Sequence, residues 1–489
     1  MVAILDRSET DADAFCAGLE EAVRQKSGGQ ASITTTYVEY DGTGFRDKLK
    51  LAFRKIHTEK DGRQNFGVEG SALLTSPYYH RCSLLPTQPA RYPTVIGEIG
   101  DEEERYLSEA AKAQWVAVKE KKKIEFDVGL LQKLGKPDCW LPYQLDDLWR
   151  KEEGGYMGFI AADGNNIGQM LEIIGDECLY EEFSNQMYDL VWGTIAEAAM
   201  TAKIPPKRFV KTKKSKQGSS QKSFLPLIPV IVAGDDLSLL VRAEDASRFA
   251  AGLCCKFTEL SKGNTAIQQV INLFCRDSEY SVAARQLFPD RFTDGHLKLD
   301  TDETWKQPQT LTLSVGVAIA KRKFPMSVYR RLAGELRDEA KQALRKRPDA
   351  VQEGGMIDLA VITTATAQSL RDLRSHYWTD EGTHLTIRPC TIGDFEELLK
   401  LAELLKELPR NKRKFLYTQL FSGIALGQAA YQFVMARERK LIREKVFNAM
   451  EAFDCKSGNA FRPAANRPDE KETPLVDALE LAELMEMED

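Results

Sequence analysis

A Gly-Asp-Asp sequence between two apolar segments constrains the fold of this chain more than any other feature. The segments are residues 227–233 and 237–242, and Gly234, Asp235 and Asp236 separate them. Glycine and aspartate favour tight turns, so the pattern predicts a β-hairpin. The hairpin would hold two adjacent carboxylates at the rim of a sheet. Because like charges repel, this arrangement favours a bound cation, and Mg²⁺ prefers oxygen ligands.

A second predicted strand, residues 156–162, also ends in a carboxylate. The turn that follows it consists of Asp163, Gly164, Asn165, Asn166, Ile167 and Gly168. This turn would present backbone N–H groups at the start of a helix, where phosphate oxygens bind well. If the strand lies beside the hairpin, the three aspartates converge and outline a two-metal phosphoryl-transfer site. For Gly-Asp-Asp taken alone, ordinary turn chemistry is the alternative.

The alternation of strands and helices predicts an α+β fold with a ferredoxin-like palm. The order is β-α-β-β-α-β, in which the first and third strands are adjacent. That adjacency would bring Asp163 to the hairpin. The expected strands are 156–162, 227–233, 237–242, 310–320 and 356–362, and the expected helices cover 167–202, 243–260 and 327–345.

The two ends of the chain predict a partial N-terminal α+β piece and a C-terminal helical bundle. Before the core, helices are expected at 10–25, 44–58 and 101–123, with a β-rich run at 31–40. After it, helices are expected at 394–407, 412–426, 428–453 and 475–487. The predicted domains are 1–66, 67–150 (an irregular connector), 151–375 (the palm) and 376–489 (the helical domain).

Composition excludes several classes of protein. A net charge of −6 argues against a protein that coats nucleic acid, although it leaves local basic patches open. The 9 cysteines are dispersed without a Cys-x-x-Cys pair, which favours reduced, buried thiols over disulfides or a zinc site. No apolar run is long enough to span a membrane and no signal-peptide pattern is evident, so we expect a cytoplasmic protein without a membrane partner.

The basic segment 207–222 interrupts the core and is rich in Ser, Gly and Lys, which predicts a mobile loop. Two roles stay open for it: contact with nucleic acid or nucleotide phosphates, and a solubilising surface.

Several segments, taken in order, resemble one known family. They are residues 163–168, residues 233–236 with Ala233 in place of a glycine, residues 313–320, and Glu339-Ala340-Lys341. In this order they resemble the first palm motif, the Gly-Gly-Asp-Asp motif, the serine-containing strand and the following helix of the large polymerase- and cyclase-like subunit of type III CRISPR effector complexes. Segments 387–389 and 474–479 resemble its C-terminal helical domain, and 76–90 resembles its cysteine-rich knuckle after loss of the ligands.

The chain departs from that family near its N-terminus. No His-Asp dipeptide occurs, so the family's N-terminal nuclease is expected to be absent. Residues 1–66 resemble only the later part of its first palm. A first palm this short favours a homodimer, because a second nucleotide site is needed to join two nucleotides. It also leaves open the partners that the resemblance implies, namely guide or target RNA and CRISPR-type subunits.

The resemblance implies a nucleotidyltransferase that makes a cyclic oligoadenylate messenger from ATP in prokaryotic antiviral defence. Two Mg²⁺ or Mn²⁺ ions would be held by Asp163, Gly164, Asp235 and Asp236. Nucleotide contacts are expected from Gly164, Asn165, Asn166, Ile167, Gly168, Gly234, Ser314 and Lys341. Lys341 would neutralise a phosphate and Ser314 would bond an adenine edge; a surface lysine and a satisfied strand serine are the alternatives.

Two further functions fit the same residues. One is a dinucleotide cyclase that uses GTP, because such enzymes share the palm and its carboxylates. The other is a scaffold in a CRISPR-type ribonucleoprotein that binds nucleotide or RNA without turnover. The retention of three mutually repelling carboxylates favours an enzyme over a scaffold.

Overall fold

The computed structural model describes most of the chain after residue 154 and shorter stretches before it. The described residues are 12–26, 33–64, 92–96, 103–107, 111–112, 125–135, 139, 141–142, 148, 155–202, 207–209, 222–298, 302–347, 354–362, 369–377, 382–456, 458–464 and 467–486. The chain divides into two compact units, Met1–Glu125 with Ile174–Glu177, and Phe126–Ile173 with Cys178–Asp489.

Among the described residues of the first unit, the longer elements are the helices α1 (Ala12–Lys26) and α2 (Phe45–Gln64) and the paired strands β1 (Tyr92–Ile96) and β2 (Glu103–Leu107). Two predictions are wrong here. Residues 33–41 form no strand, and residues 103–107, predicted as helix, pair antiparallel with β1. Pairing with a neighbouring strand overrides the local charge pattern that suggested a helix. The knuckle-like segment 76–90 lies outside the described residues.

The second unit carries the remaining α-helices and strands that the structure describes. In chain order they are α3 (Glu125–Lys133), β3 (Tyr156–Gly164), α4 (Ile167–Glu172), α5 (Glu177–Thr201), β4 (Lys207–Phe209), β5 (Lys222–Phe224), β6 (Leu227–Ala233), β7 (Asp236–Arg242), α6 (Ala243–Ser261), α7 (Thr265–Arg276), α8 (Ser281–Leu287), β8 (Phe292–Thr293), β9 (His296–Leu297), β10 (Leu313–Lys321), α9 (Met326–Lys346), β11 (Gly355–Ile362), α10 (Leu370–Ser375), β12 (Thr383–His384), β13 (Cys390–Thr391), α11 (Ile392–Lys406), α12 (Arg410–Leu420), α13 (Ile424–Ala436), α14 (Lys440–Glu451), β14 (Arg462–Ala464), β15 (Arg467–Glu472) and α15 (Leu475–Glu486).

A six-stranded mixed sheet forms the centre of this unit, in the order β13-β11-β10-β3-β7-β6. The strands β10-β3-β7-β6 have the ferredoxin-like order, with β3 antiparallel to both β10 and β7. The α+β class and the adjacency of the first and third core strands are therefore confirmed. Strand β11 pairs parallel with β10, so the predicted strand at 356–362 extends the motif beyond four strands.

Helices cover both faces of the sheet. Helix α9 packs over β10 and β3, where Phe159, Ala161, Ala333 and Leu336 share one buried core. Helix α6 lies on the other face, where Gly158 of β3 leaves room for Ala246. The strands between these helices are buried on both sides, which explains why β3 and β10 are almost continuously apolar.

The C-terminal region is helical, as expected, with α11 packed against α15. The single helix expected at 428–453 is wrong, because α13 ends at Ala436 and α14 begins at Lys440. The polar tail also forms structure, since β12, β14 and β15 make a small three-stranded sheet.

The basic segment 207–222 begins and ends in a pair of short antiparallel strands, β4 and β5. Residues 210–221 between them lie outside the described residues. Within the described part of the chain, no helix has both the length and the apolar character needed to cross a membrane.

Candidate functional site

The end of β3 meets the turn between β6 and β7, as the sequence predicts. Strand β3 pairs with β7. Ala162, near the end of β3, lies opposite Leu237, which follows the hairpin turn. A Cβ atom at position 164 would lie 2.9 Å from Oδ2 of Asp235 and 2.6 Å from Cγ1 of Ile167. Only glycine therefore lets the end of β3 approach the Asp235 carboxylate this closely.

The hairpin turn depends on Gly234, which has a φ of 63°. Such a left-handed conformation favours glycine. Ala233 lies before the turn, pairs with Asp236 across the hairpin, and is not among the described residues with positive φ. Alanine at position 233 therefore brings no backbone strain.

Asp163, Asp235 and Asp236 lie close enough to influence one another electrostatically. Burial, and next the negative charge of Asp163, raise the pKa of the Asp235 carboxyl to about 6. The charge of Asp236 acts in the same direction, while Lys341 opposes it. The cluster is therefore a place where added positive charge is stabilising.

Two cations of helix α9 neutralise part of this charge. The Lys341 ammonium contacts the Asp163 carboxylate, and Nη1 of Arg337 lies 3.5 Å from Oδ1 of Asp236. The same guanidinium pairs with Asp338 at 2.9 Å. Sequence reasoning selected Lys341 and missed Arg337. The available signal was its spacing, because residues four apart share one face of a helix.

Gly316 of β10 allows α9 to pack close enough to the sheet for these cations to reach the aspartates. A Cβ at this position would overlap the carbonyl oxygen of Ala333 and the amide nitrogen of Arg337. The backbone of α9 therefore rests directly on the strand. This close approach sets the height of Arg337 and Lys341 above the ends of β3 and β7.

Asn165 and Ser314 support the turn from behind. Ser314 lies opposite Asp163 in the register, is fully buried, and donates its hydroxyl to Oδ1 of Asn165 at 2.8 Å. Asn165 donates its side-chain amide to Oγ1 of Thr312 at 2.9 Å and its backbone N–H to the Thr312 carbonyl at 3.0 Å. This arrangement matches the alternative of a satisfied strand serine, since it leaves no exposed Ser314 hydroxyl for an adenine.

The predicted phosphate cradle is only partly open. The N–H of Asn165 is committed to Thr312, and Asn166 is left-handed with a φ of 61°. The side-chain amide of Asn166 donates to Gln169 at 2.9 Å. The space around Gly168 is open, since no atom lies within 4 Å of the position that a Cβ would occupy.

The donor atoms suit a divalent metal, but the present arrangement is one of ion pairs. Carboxylate oxygens are the ligands that Mg²⁺ prefers. Among the residues that the structure describes, no group of three or more His, Cys, Asp or Glu side chains is arranged to hold a metal. A metal would have to compete with Lys341 for Asp163 and with Arg337 for Asp236.

Comparisons with known proteins add little to this geometry. No protein-family model matches the chain, and no curated protein does. Among solved structures, the crystal structure of Csm1 in T. onnurineus is similar to the chain at 14% sequence identity and a TM-score of 0.25. The match covers 70% of this chain and 39% of the Csm1 chain, so the chain spans about two fifths of the length of that protein.

Proposed function

We propose that this protein is a metal-dependent nucleotidyltransferase that joins ATP into a cyclic oligoadenylate. The observation that carries the proposal is the meeting of Asp163 with the Asp235-Asp236 hairpin, beneath two cations of α9. Enzymes that transfer phosphoryl groups rely on positioning and on charge, and this cluster offers both.

Asp163, Asp235 and Asp236 would hold the metal ions. Bound Mg²⁺ would supply a Lewis acid that promotes ionisation of a ribose hydroxyl and neutralises the pyrophosphate leaving group. The carboxyl of Asp235, with a pKa of about 6, is ionised at neutral pH and is then a cation ligand. Once metal ions displaced Lys341 and Arg337 from the carboxylates, the two side chains would form ion pairs with the triphosphate of ATP.

The test is nucleotide turnover by the purified chain. The protein would be incubated with Mg²⁺ or Mn²⁺ and each nucleoside triphosphate separately, and pyrophosphate release and product mass would be measured. We expect a cyclic adenylate from ATP, and no product from the Asp235→Asn, Asp236→Asn double variant. Turnover of GTP alone would replace this proposal with a dinucleotide cyclase. Full activity in the double variant would show that Asp235 and Asp236 are not required for catalysis.

A second candidate is a nucleotide- or RNA-binding scaffold of a CRISPR-type ribonucleoprotein. The ion pairs favour it, because Lys341 and Arg337 already satisfy two of the three carboxylates without a metal. A scaffold would bind ATP or RNA tightly and release no pyrophosphate. Repeating the turnover assay with added RNA and partner subunits distinguishes a scaffold, which stays inactive, from an enzyme that needs an activator.

A further inference from the structure

A cavity of about 410 Å³ lies on the opposite flank of α9 from the candidate site. Its walls come from α9, the start of β11, the segment between β12 and β13, and the β14–β15 hairpin. Glu339 and Lys346 line it, and at 3.6 residues per turn they lie about 180–200° around the helix from Arg337. The cavity has the size of a small-molecule site and is separate from the three aspartates.

Two charged groups of the cavity wall form no hydrogen bond or ion pair among the described residues. Lys346 is exposed and forms no ion pair there, and Glu339 is half-buried and forms neither a hydrogen bond nor an ion pair. Burial, and next the charge of Asp358, raise the pKa of the Glu339 carboxyl, and the positive charge of Arg374 offsets only part of this rise. A half-buried carboxyl without a hydrogen bond is costly, so a ligand that supplies a donor would stabilise it.

The positions of these groups suit a ligand that has a hydrogen-bond donor at one end and a negative charge at the other. Lys346 lies seven positions after Glu339 in the helix, which is about 10 Å along the axis. At the Lys346 end lies Arg347, whose Nη1 is 3.6 Å from Oδ2 of Asp394, a carboxylate that also lines the cavity. Between the ends, the wall includes the apolar side chains of Ala343 and Met356.

We propose that this cavity binds a small phosphorylated molecule of mononucleotide size, with the phosphate against Lys346 and Arg347 and a hydroxyl or amino group against Glu339. Charge-assisted hydrogen bonds from Lys and Arg are the strong contacts that phosphate makes with proteins. A sugar hydroxyl or an exocyclic amine supplies the donor that Glu339 lacks. The site does not depend on the proposed transferase activity.

Calorimetric titration of the full chain tests the proposal, with AMP, ribose 5-phosphate, adenosine and inorganic phosphate as probes. EDTA in the buffer suppresses metal-dependent binding at the aspartates. We expect AMP to bind at a single saturable site and adenosine to bind at least about tenfold more weakly, since it lacks the charged group. Ribose 5-phosphate that binds as well as AMP supports the proposal and shows that the sugar phosphate is recognised. Inorganic phosphate that binds as tightly as AMP overturns it, as does no binding by any probe.

Variants on α9 locate the binding. Lys346→Glu reverses an exposed charge without disturbing the core, and we expect it to weaken AMP binding at least about tenfold. The matched control is Arg345→Glu, the same charge change on an exposed neighbour outside the cavity lining. Affinity equal to the parent protein in Lys346→Glu, with only lower thermal stability, means that the cation serves the helix dipole and overturns the proposal. Loss of AMP binding in the Asp235→Asn, Asp236→Asn variant also overturns it, because the nucleotide then occupies the candidate site.

Discussion

The ammonium group of Lys341 contacts the carboxylate of Asp163, 178 residues earlier in the chain. The pair links helix α9 to the end of β3 and explains how three carboxylates stay together without a metal. Its charge also reaches Asp235, whose pKa is raised by burial and by Asp163 and lowered by Lys341. The lysine is therefore both a neutralising partner and a regulator of when the cluster ionises.

Replacing Lys341 by methionine should weaken activity and shift its pH dependence. Without the ammonium group, the pKa of Asp235 rises further, so the acid limb of the activity profile should move to higher pH. We also expect the KM for ATP to rise about tenfold, the cost of one charge-assisted contact. Steady-state kinetics between pH 5 and pH 9 measures both effects, with Arg345→Met as the exposed control on the same helix. An unchanged profile would show that Lys341 is only a surface lysine.

Asp235 should make the protein less stable as the pH rises. Its carboxyl has a pKa of about 6 in the folded state, against an ordinary value of 3.8, so the folded state holds its proton more tightly. The unfolded state then binds fewer protons between these values, and stability falls as pH rises through this window and stays low above it. Asp235→Asn should therefore be more stable than the parent by roughly 1–3 kcal/mol at pH 8. Urea unfolding at pH 8 and pH 4 measures the difference, which should fall below about 1 kcal/mol at pH 4, because that pH lies close to the ordinary value of 3.8.

Magnesium should stabilise the parent protein and leave the Asp235→Asn, Asp236→Asn variant unchanged. A ligand that binds only the folded state raises its stability by mass action. The increase should be present at pH 8 and weaken below about pH 6, because protonated Asp235 is no longer a cation ligand. Thermal unfolding with and without Mg²⁺, at constant ionic strength, measures it. An equal increase in both proteins would place the ion elsewhere.

The sequence predicted the hairpin and the end of β3 because their signals are local. Gly234 has the left-handed conformation that a turn demands, and the segments on each side are short apolar runs, as buried strands often are. The predicted convergence of Asp163 with Asp235 then followed from the β-α-β-β-α-β topology, because connection rules allow few other arrangements of these strands. Lys341 was reached through the resemblance as a counter-charge for phosphate. The structure pairs its ammonium with the Asp163 carboxylate, so the phosphate role stays a prediction.

Features set by distant contacts were not predictable in the same way. Residues 103–107 are charged and suggested a helix, yet they form a strand because they pair with β1. Ser314 sits beneath the site, and only the three-dimensional structure reveals that its hydroxyl is donated to Asn165. The four-residue spacing places Arg337 on the same face of α9 as Lys341, but it does not reveal the close approach of α9 to β10 at Gly316 that brings Arg337 to Asp236.

Ser314→Ala should reduce stability and leave base selection unchanged. The hydroxyl is fully buried and makes a 2.8 Å hydrogen bond to Asn165, so its loss should cost about 1–2 kcal/mol. The ratio of ATP to GTP turnover should match the parent protein, because no part of the serine is exposed to a base. Urea unfolding and parallel turnover assays test both points, with the exposed Ser327→Ala as control. A changed ratio of ATP to GTP turnover without loss of stability would support the hypothesis that Ser314 contacts adenine.

Gly316→Ala and Gly334→Ala form the sharpest pair of variants, because one methyl group is added at two glycines with opposite surroundings. At position 316 the new Cβ overlaps backbone atoms of Ala333 and Arg337, which cannot rotate away, so α9 must shift off the sheet. We expect a loss of about 1–3 kcal/mol or more in the free energy of unfolding. At position 334, inside α9, no atom lies within 4 Å of a Cβ, so alanine should stabilise the helix by about 0.5–1 kcal/mol.

The same pair tests how the cations of α9 are placed. A shifted helix carries Arg337 and Lys341 away from the aspartates, so Gly316→Ala should lose ATP turnover even at temperatures where it remains folded by circular dichroism. Gly334→Ala keeps the helix in place and should retain the activity of the parent protein. If folded Gly316→Ala were as active as Gly334→Ala, the close approach of α9 to β10 would have no part in assembling the site.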